Sequence, residues 1–275
     1  MKNRFLILLS FVLIVGRDVV CANTSMVRER ININRDWRYQ IDDPDGVGAA
    51  LHYSRLKPYL LPCANDFIIF GKRYQRPEGN PGENIAYVKS DFDDSEWRHL
   101  NLPHDWAIEG PFNIDYNGST GKLPYWGIRW YRKTLELSQD DAGKQIYLDI
   151  DGAMSYVSVW CNGQYVGGWP YGYASFRLDL TPYIKAGQKN VLAIRLDNPD
   201  DTSRWYPGSG IYRNVWLVKT SPVHVEQWGT FVRNQQVDSE IAVMEMGVNI
   251  ENHAGKDVQV KLQTSVYLQG KDGRP

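Results

Sequence analysis

Arg195-Leu-Asp-Asn-Pro-Asp-Asp-Thr-Ser-Arg-Trp-Tyr-Pro-Gly-Ser-Gly-Ile-Tyr-Arg-Asn-Val-Trp-Leu217 contains, in order, the end of an apolar strand, a polar and aromatic loop, and a second alternating strand. The loop gathers Asp197, Asn198, Arg204, Trp205 and Tyr206. Carboxylate, amide and guanidinium groups bond hydroxyls, and aromatic faces pack the apolar side of a sugar ring. The mix therefore suits a neutral polyhydroxyl ligand. A plainer alternative is a β-loop-β connection whose Trp and Tyr cap a core. Local chemistry leaves both open.

The same strand signal extends outward from this segment. Ile146, Leu148 and Ile150 alternate with Tyr147, Asp149 and Asp151. Val157, Val159 and Cys161 alternate with Tyr156, Ser158 and Trp160. Period two is the mark of a half-buried strand. Asn162-Gly163 lies between two such runs and predicts a tight hairpin, because both turn positions need positive φ. Phe176 to Leu180, Asn190 to Leu196 and Ile211 to Val218 read as further strands, with a brief helical turn starting at Thr181-Pro182. Many short strands separated by turn residues predict an antiparallel sandwich.

Upstream, Trp37 to Ile41 reads as a short strand. Asp42 to Gly82 is rich in Pro, Gly and aromatics and has no sustained period. It reads as a long insertion with a short helical piece near Tyr53 to Tyr59, of the kind that is functional or decorative rather than core. Asp91 to Trp97 reads as a capped turn. Downstream, the pattern restarts after Thr220-Ser-Pro222. Val223 to Val232, Ala242 to Ile250 and Val258 to Leu268 are expected to be strands of a second β domain. An immunoglobulin-like sandwich needs about 100 residues. The chain reaches Gly273-Arg-Pro275 well short of that, so it is expected to be part of a longer protein.

The 275 residues carry a net charge of −1, enough chain for one large domain and part of another. No basic excess points to nucleic acid. The 10 Trp and 17 Tyr suit a carbohydrate platform, although a sandwich core consumes aromatics too. Residues 1–22 read as an export leader: Lys2 and Arg4, the apolar run Phe5 to Val15, and cleavage after Ala22. A rival reading makes Cys21 a lipidation site. The mature product is expected in the periplasm or outside the cell. Cys63 and Cys161 then remain, more readily two free thiols than a pair. No Cys/His cluster has metal-ligand spacing, and nothing in the sequence calls for a cofactor.

Four ordered segments carry a family likeness. They are Asn101-Leu-Pro-His-Asp-Trp-Ala-Ile-Glu-Gly-Pro-Phe112, Gly127-Ile-Arg-Trp-Tyr-Arg-Lys-Thr-Leu135, Asp151-Gly-Ala-Met-Ser-Tyr-Val-Ser-Val-Trp-Cys-Asn-Gly163, and the Asp197 to Arg213 loop. From about Arg30 to Thr220 the chain resembles the N-terminal sugar-binding domain of family 2 glycoside hydrolases, the β-galactosidase group. The resemblance implies a jelly-roll sandwich of the galactose-binding type, followed by the start of an immunoglobulin-like domain. It also implies that Asp197 and Asn198 approach sugar hydroxyls, that Arg204, Trp205 and Tyr206 follow in the same loop, and that Asn117, at the end of Ile114-Asp-Tyr-Asn117, lies on a second loop near the sugar. A bracing role for Arg204 and Trp205 stays open.

Retaining glycoside hydrolysis needs two carboxyl groups about 5 Å apart. In the resembled family both are glutamates of a following (β/α)₈ barrel, and no repeated strand-helix units occur here. The chain is therefore expected to be a non-catalytic part of an exported β-galactosidase-like enzyme, acting on a β-galactoside-type glycan with its own downstream barrel as partner, and with a homo-oligomer left open. β-Glucuronidase and β-mannosidase are alternatives in the same class. A stand-alone carbohydrate-binding module and a purely structural sandwich are alternatives outside it. His104-Asp105 invites a dyad, but adjacent residues of an extended segment point to opposite sides. Gly208-Ser-Gly210 opens no helix, so it is not a phosphate cradle.

Overall fold

The computed structural model describes residues 3–11, 28–68, 70–118, 121–200, 208–265 and 267. It divides into two compact units, Ser25–Ser221 and Pro222–Pro275, the second also taking in Met1–Thr24. The strands, in chain order, are β1 (Asn3–Phe11), β2 (Arg28–Asn32), β3 (Trp37–Ile41), β4 (Arg98–Leu100), β5 (Gly127–Glu136), β6 (Gln145–Ile150), β7 (Val157–Cys161), β8 (Gln164–Trp169), β9 (Phe176–Asp179), β10 (Lys189–Asn198), β11 (Val215–Thr220), β12 (Val223–Val237) and β13 (Ala242–Asn252). A single α-helix, α1 (Tyr53–Leu60), stands among the described residues.

The larger unit is an antiparallel β-sandwich. One sheet runs β4-β3-β5-β10-β7-β8 and the other β2-β11-β6-β9. Pairing strands remote in sequence, β5 with β10 and β2 with β11, is the jelly-roll pattern. Period-two alternation sets the inner faces. Val157, Val159, Leu192, Ile194 and Leu196 of the wider sheet meet Leu148, Ile150, Phe176 and Leu217 of the narrower one in a single core. The hairpin forms where expected: Cys161 pairs with Gln164, while Asn162 and Gly163 take φ of 51° and 80°. Cys161 is buried, and burial pushes its thiol up to about 12. Cys63 is half-buried, and the two cysteines form no disulfide with each other.

The half-buried reading of the wider sheet is corrected by the structure, because every residue of β7 is buried. The reason is the insertion together with the segment that follows it, up to Trp97. Leu51, Leu56 and Leu60, with Ile85, Val88 and Trp97, pack against Trp130, Trp160, Tyr165 and Ala193 on the outward face of β5, β7, β8 and β10. The i, i+4 pair Leu56/Leu60 gives α1 one apolar side. Trp160 donates its indole N–H to the Pro81 carbonyl at 2.7 Å. Asp94, in the turn before β4, bonds the Arg132 guanidinium at 2.7 Å. The segment expected to be functional or decorative rather than core thus builds, with residues 85–97, a second core layer.

In the smaller unit β12 and β13 form a long hairpin, with β1 on the other edge of β13, from Asn3↔Asn252 to Phe11↔Met244. A bulge interrupts β12 between Val225 and Thr230. The expected strand Val258 to Leu268 is not formed at the residues described there, 258–265 and 267. Alternation alone does not make a strand without a ladder partner.

Candidate functional site

The site grows from the end of β10. Leu192, Ile194 and Leu196 point into the core, so Arg195 and Asp197 point to the outer face, under the insertion. Arg195 is buried there and needs anions. Its Nε and Nη2 donate to the two carboxylate oxygens of Asp43, each at 2.8 Å, and its Nη1 donates to the Leu51 carbonyl at 3.3 Å. Nη1 also reaches the Asp197 carboxylate at 3.3 Å, and that carboxylate keeps about one-fifth of its surface exposed. Trp130 donates its indole N–H to Asp43 at 2.8 Å. Asp197 is therefore an oriented carboxylate rather than a loose one.

Asn198 turns the other way. It is buried, and its Nδ2 donates to the Tyr125 and Gly208 carbonyls at 2.8 and 3.2 Å. Its Oδ1 accepts from the Ser155 hydroxyl at 3.0 Å. One side chain thus ties three loops together, and its hydrogen-bonding capacity is spent inside the protein. The structure does not bring Asp197 and Asn198 to one side. Arg204, Trp205 and Tyr206 lie outside the described residues. Asn117 is exposed on the loop preceding β5, and its carbonyl accepts the Lys122 backbone N–H at 3.3 Å. The Lys122 ammonium closes this loop by donating to the Ile114 carbonyl at 2.7 Å and to that of Tyr116. A ring chain from Tyr116 through Trp126 to Tyr125 links it to the base of the Asp197 loop, where the Tyr125 hydroxyl donates to Asp200 at 2.8 Å.

Sequence reasoning missed Asp43, Ser155, Tyr125 and Ser209. Asp43 lies 152 positions from the arginine it pairs with, and nothing local marks it. Ser209 donates to the Tyr125 carbonyl at 2.6 Å and is fully buried, so the Gly208-Ser-Gly210 run serves the loop's foundation.

His104 and Asp105 take different partners. His104 Nδ1 meets the Tyr131 hydroxyl at 2.8 Å and its Nε2 meets Glu109 at 3.3 Å, while Asp105 accepts the Ala107 backbone N–H at 2.9 Å. Burial is the largest cause holding the His104 pKa below the ordinary 6.5, against the attraction of Glu109. The unfolded chain then binds that proton more readily than the folded one. Stability contributed by neutral His104 is complete above pH 6.5 and falls as pH drops through the window below it. We expect urea midpoints of the wild type to decline in that window and those of His104→Gln to decline less. Parallel curves for the two proteins would refute the assignment.

Residues 86–221 match the family model described as glycosyl hydrolases family 2, sugar binding domain. A β-galactosidase of Bacteroides ovatus is 40% identical over 92% of this chain and 25% of its own length. A putative β-glucuronidase of Formosa agariphila is 35% identical over 72% of this chain and 20% of its own length. Among solved structures, a β-glycosidase from Bacteroides vulgatus superposes with a TM-score of 0.64 at 30% identity, over 90% of this chain and 27% of that one. The chain spans about a quarter of the length of the curated relatives it matches.

Proposed function

The chain belongs to family 2 of the glycosyl hydrolases, and from that premise we propose that it is the sugar-binding, non-catalytic part of a β-galactosidase-like retaining glycosidase. The observation that carries the reading is Asp197, a carboxylate anchored by Arg195 and partly exposed at the loop end of a sugar-binding sandwich. A site that bonds hydroxyls rejects analogues lacking them far better than an apolar pocket rejects extra bulk. In this reading Asp197 and the Arg204–Trp205–Tyr206 loop help choose the sugar, Asn117 approaches it from the second loop, and Asn198 holds the loop in place. Bond cleavage falls to the two glutamates of a (β/α)₈ barrel. The similarity to a putative β-glucuronidase keeps a uronic-acid glycoside as the second reading.

The test is hydrolysis of nitrophenyl β-glycosides by this chain alone and by a product in which it is joined to a catalytic barrel. Only the joined product should cleave, with the galactoside preferred. Cleavage by the 275-residue chain would overturn the non-catalytic role. Silence from both would leave a binding module. We further propose export, with residues 1–22 removed after Ala22. N-terminal sequencing of the secreted protein should begin at Asn23, and retention of Met1 would reject the leader.

A further inference from the structure

The β8–β9 loop, Pro170-Tyr-Gly-Tyr-Ala-Ser175, places two tyrosines on the surface. Tyr171 is 61% exposed and Tyr173 43%, with ring centroids 5.5 Å apart and planes inclined by 58°. Gly172 between them is buried. Its carbonyl accepts the Tyr212 hydroxyl at 2.7 Å, and any side chain there would strike the Met154 sulfur. The loop ends are held as firmly. Trp169 and Phe176 stack nearly parallel at 6.0 Å beneath it, and the Ser175 hydroxyl donates to the Asp151 carbonyl at 2.9 Å. Two large rings are therefore presented at the surface by a loop with firm anchors at Gly172 and at both ends. Covering such surface with a ligand would gain roughly 25 cal/mol for each Å² of apolar area removed from water. The arrangement asks for a ligand.

The chemistry of the patch selects among occupants. Both residues are tyrosines, each a rigid ring with a hydrogen-bonding edge and only two side-chain torsions to freeze. The exposed Arg213 follows Tyr212, and its Cδ lies beside the Tyr212 ring over Gly152. The loop contains no Leu, Ile, Val or Met, so it offers no oily surface for a lipid. The two rings expose roughly 200 Å² between them, given 150–250 Å² for a whole aromatic side chain. A stable protein partner needs about 800 Å² on each side. A pyranose, with one apolar face ringed by hydroxyls, matches both the size and the chemistry.

Position supplies the rest. The Pro170 carbonyl accepts the Tyr156 N–H at 3.2 Å, and the Ser155 carbonyl accepts the Asp197 N–H at 3.0 Å. The tyrosine pair and Asp197 thus rise from adjacent loops joined through residues 155 and 156, at the same end of the sandwich. We infer that Tyr171 and Tyr173 form an aromatic subsite that stacks a second sugar unit of an oligosaccharide, apart from the unit that Asp197 approaches. The inference takes from the proposed function only that the ligand is a glycan. It deepens that function by making the preferred substrate an oligomer rather than a single glycoside.

The test is titration calorimetry of the 275-residue chain with β-linked tetrasaccharides of galactose, glucose, mannose and glucuronate and with the matching monosaccharides. At least one tetrasaccharide should bind tenfold or more tighter than its monosaccharide. Tyr171→Ala/Tyr173→Ala should erase that margin, while Tyr171→Phe/Tyr173→Phe should hold it within threefold. Both positions are exposed, so an unchanged thermal midpoint is expected. The single variant Tyr171→Ala, at the more exposed position, still decides the matter if the double variant is destabilised. Tetrasaccharide affinity indifferent to alanine at these positions would overturn the inference, as would no tetrasaccharide preference at all. Neither result touches hydrolysis by the barrel-joined product, and absence of that hydrolysis leaves the tyrosine result standing.

Discussion

Arg195→Ala is expected to destabilise the larger unit by about 3–5 kcal/mol, the cost of breaking a buried ion pair by removing one partner. The arginine is 3% exposed and Asp43 14%, so solvent does little to screen the charge left behind. Four groups lose a donor at once: both oxygens of Asp43, the Leu51 carbonyl and the Asp197 carboxylate. For a domain of this size the loss corresponds to a midpoint drop on the order of 10 °C. Arg195→Lys should recover only a fraction, because an ammonium cannot reproduce the paired guanidinium contacts. A cycle with Asp43→Leu isolates the pair: the double variant should be more stable than the sum of the single losses requires. A loss under about 1 kcal/mol for Arg195→Ala would place the pair among ordinary surface bridges and remove the argument that Asp197 is pre-oriented.

Gly210→Ala is expected to be as damaging, through shape rather than charge. Gly210 sits at φ +83°, and a Cβ there would lie 2.3 Å from the His104 carbonyl oxygen and 2.7 Å from the Tyr131 hydroxyl. Neither can retreat. The His104 backbone N–H donates to the Ile211 carbonyl at 2.9 Å, and the Tyr131 hydroxyl bonds the His104 ring inside the core. The left-handed backbone costs alanine roughly 1–2 kcal/mol, and forced overpacking adds about 1–3 kcal/mol. Gly46→Ala provides the control. Gly46 has nearly the same φ, +84°, with no atom within 4 Å of the added carbon, so it should show the backbone cost alone. Equal urea midpoints for the two variants would mean that the His104 loop yields, and the rigidity claimed for the site's foundation would go with it. The same substitution should loosen the paired bonds between Gly210 and Met154, and with them the segment that carries Ser155 to Asn198.

Much of the sandwich was legible because its strands obey period two and its tightest turn is Asn162-Gly163. The turn needs positive φ, and those two residues supply it at little cost. α1 was legible for the same local reason, as a short helical piece inside the insertion. What alternation could not reveal was the second layer. Trp130 and Trp160 fall on the parity that an open sheet turns to water, and residues 47–97 make that face an interior. Their contacts are long-range, so no window of sequence contains both sides. The strand expected at Val258 to Leu268 is not formed at the residues described there, since alternation supplies a face but not a ladder partner. At the site, residue types pointed to Asp197 and Asn198 together. The strand's own alternation separates them, one toward the insertion and one into the fold. That separation was available from parity alone, had β10 been extended through Asn198.

The second layer also decides where the domain can be cut. A recombinant version beginning at Ala86, where the match to the family model starts, would keep most of the sandwich strands and still be the wrong object. It would lack β3, which lies between β4 and β5, and the three leucines over Trp130, Trp160 and Tyr165. Arg195 would be stripped of Asp43. Such a product would present three bulky rings and an unmatched cation to solvent and to its neighbours, a recipe for inclusion bodies rather than for soluble protein. The practical start of the folding unit is β2, at Arg28, some sixty residues before the recognisable motif.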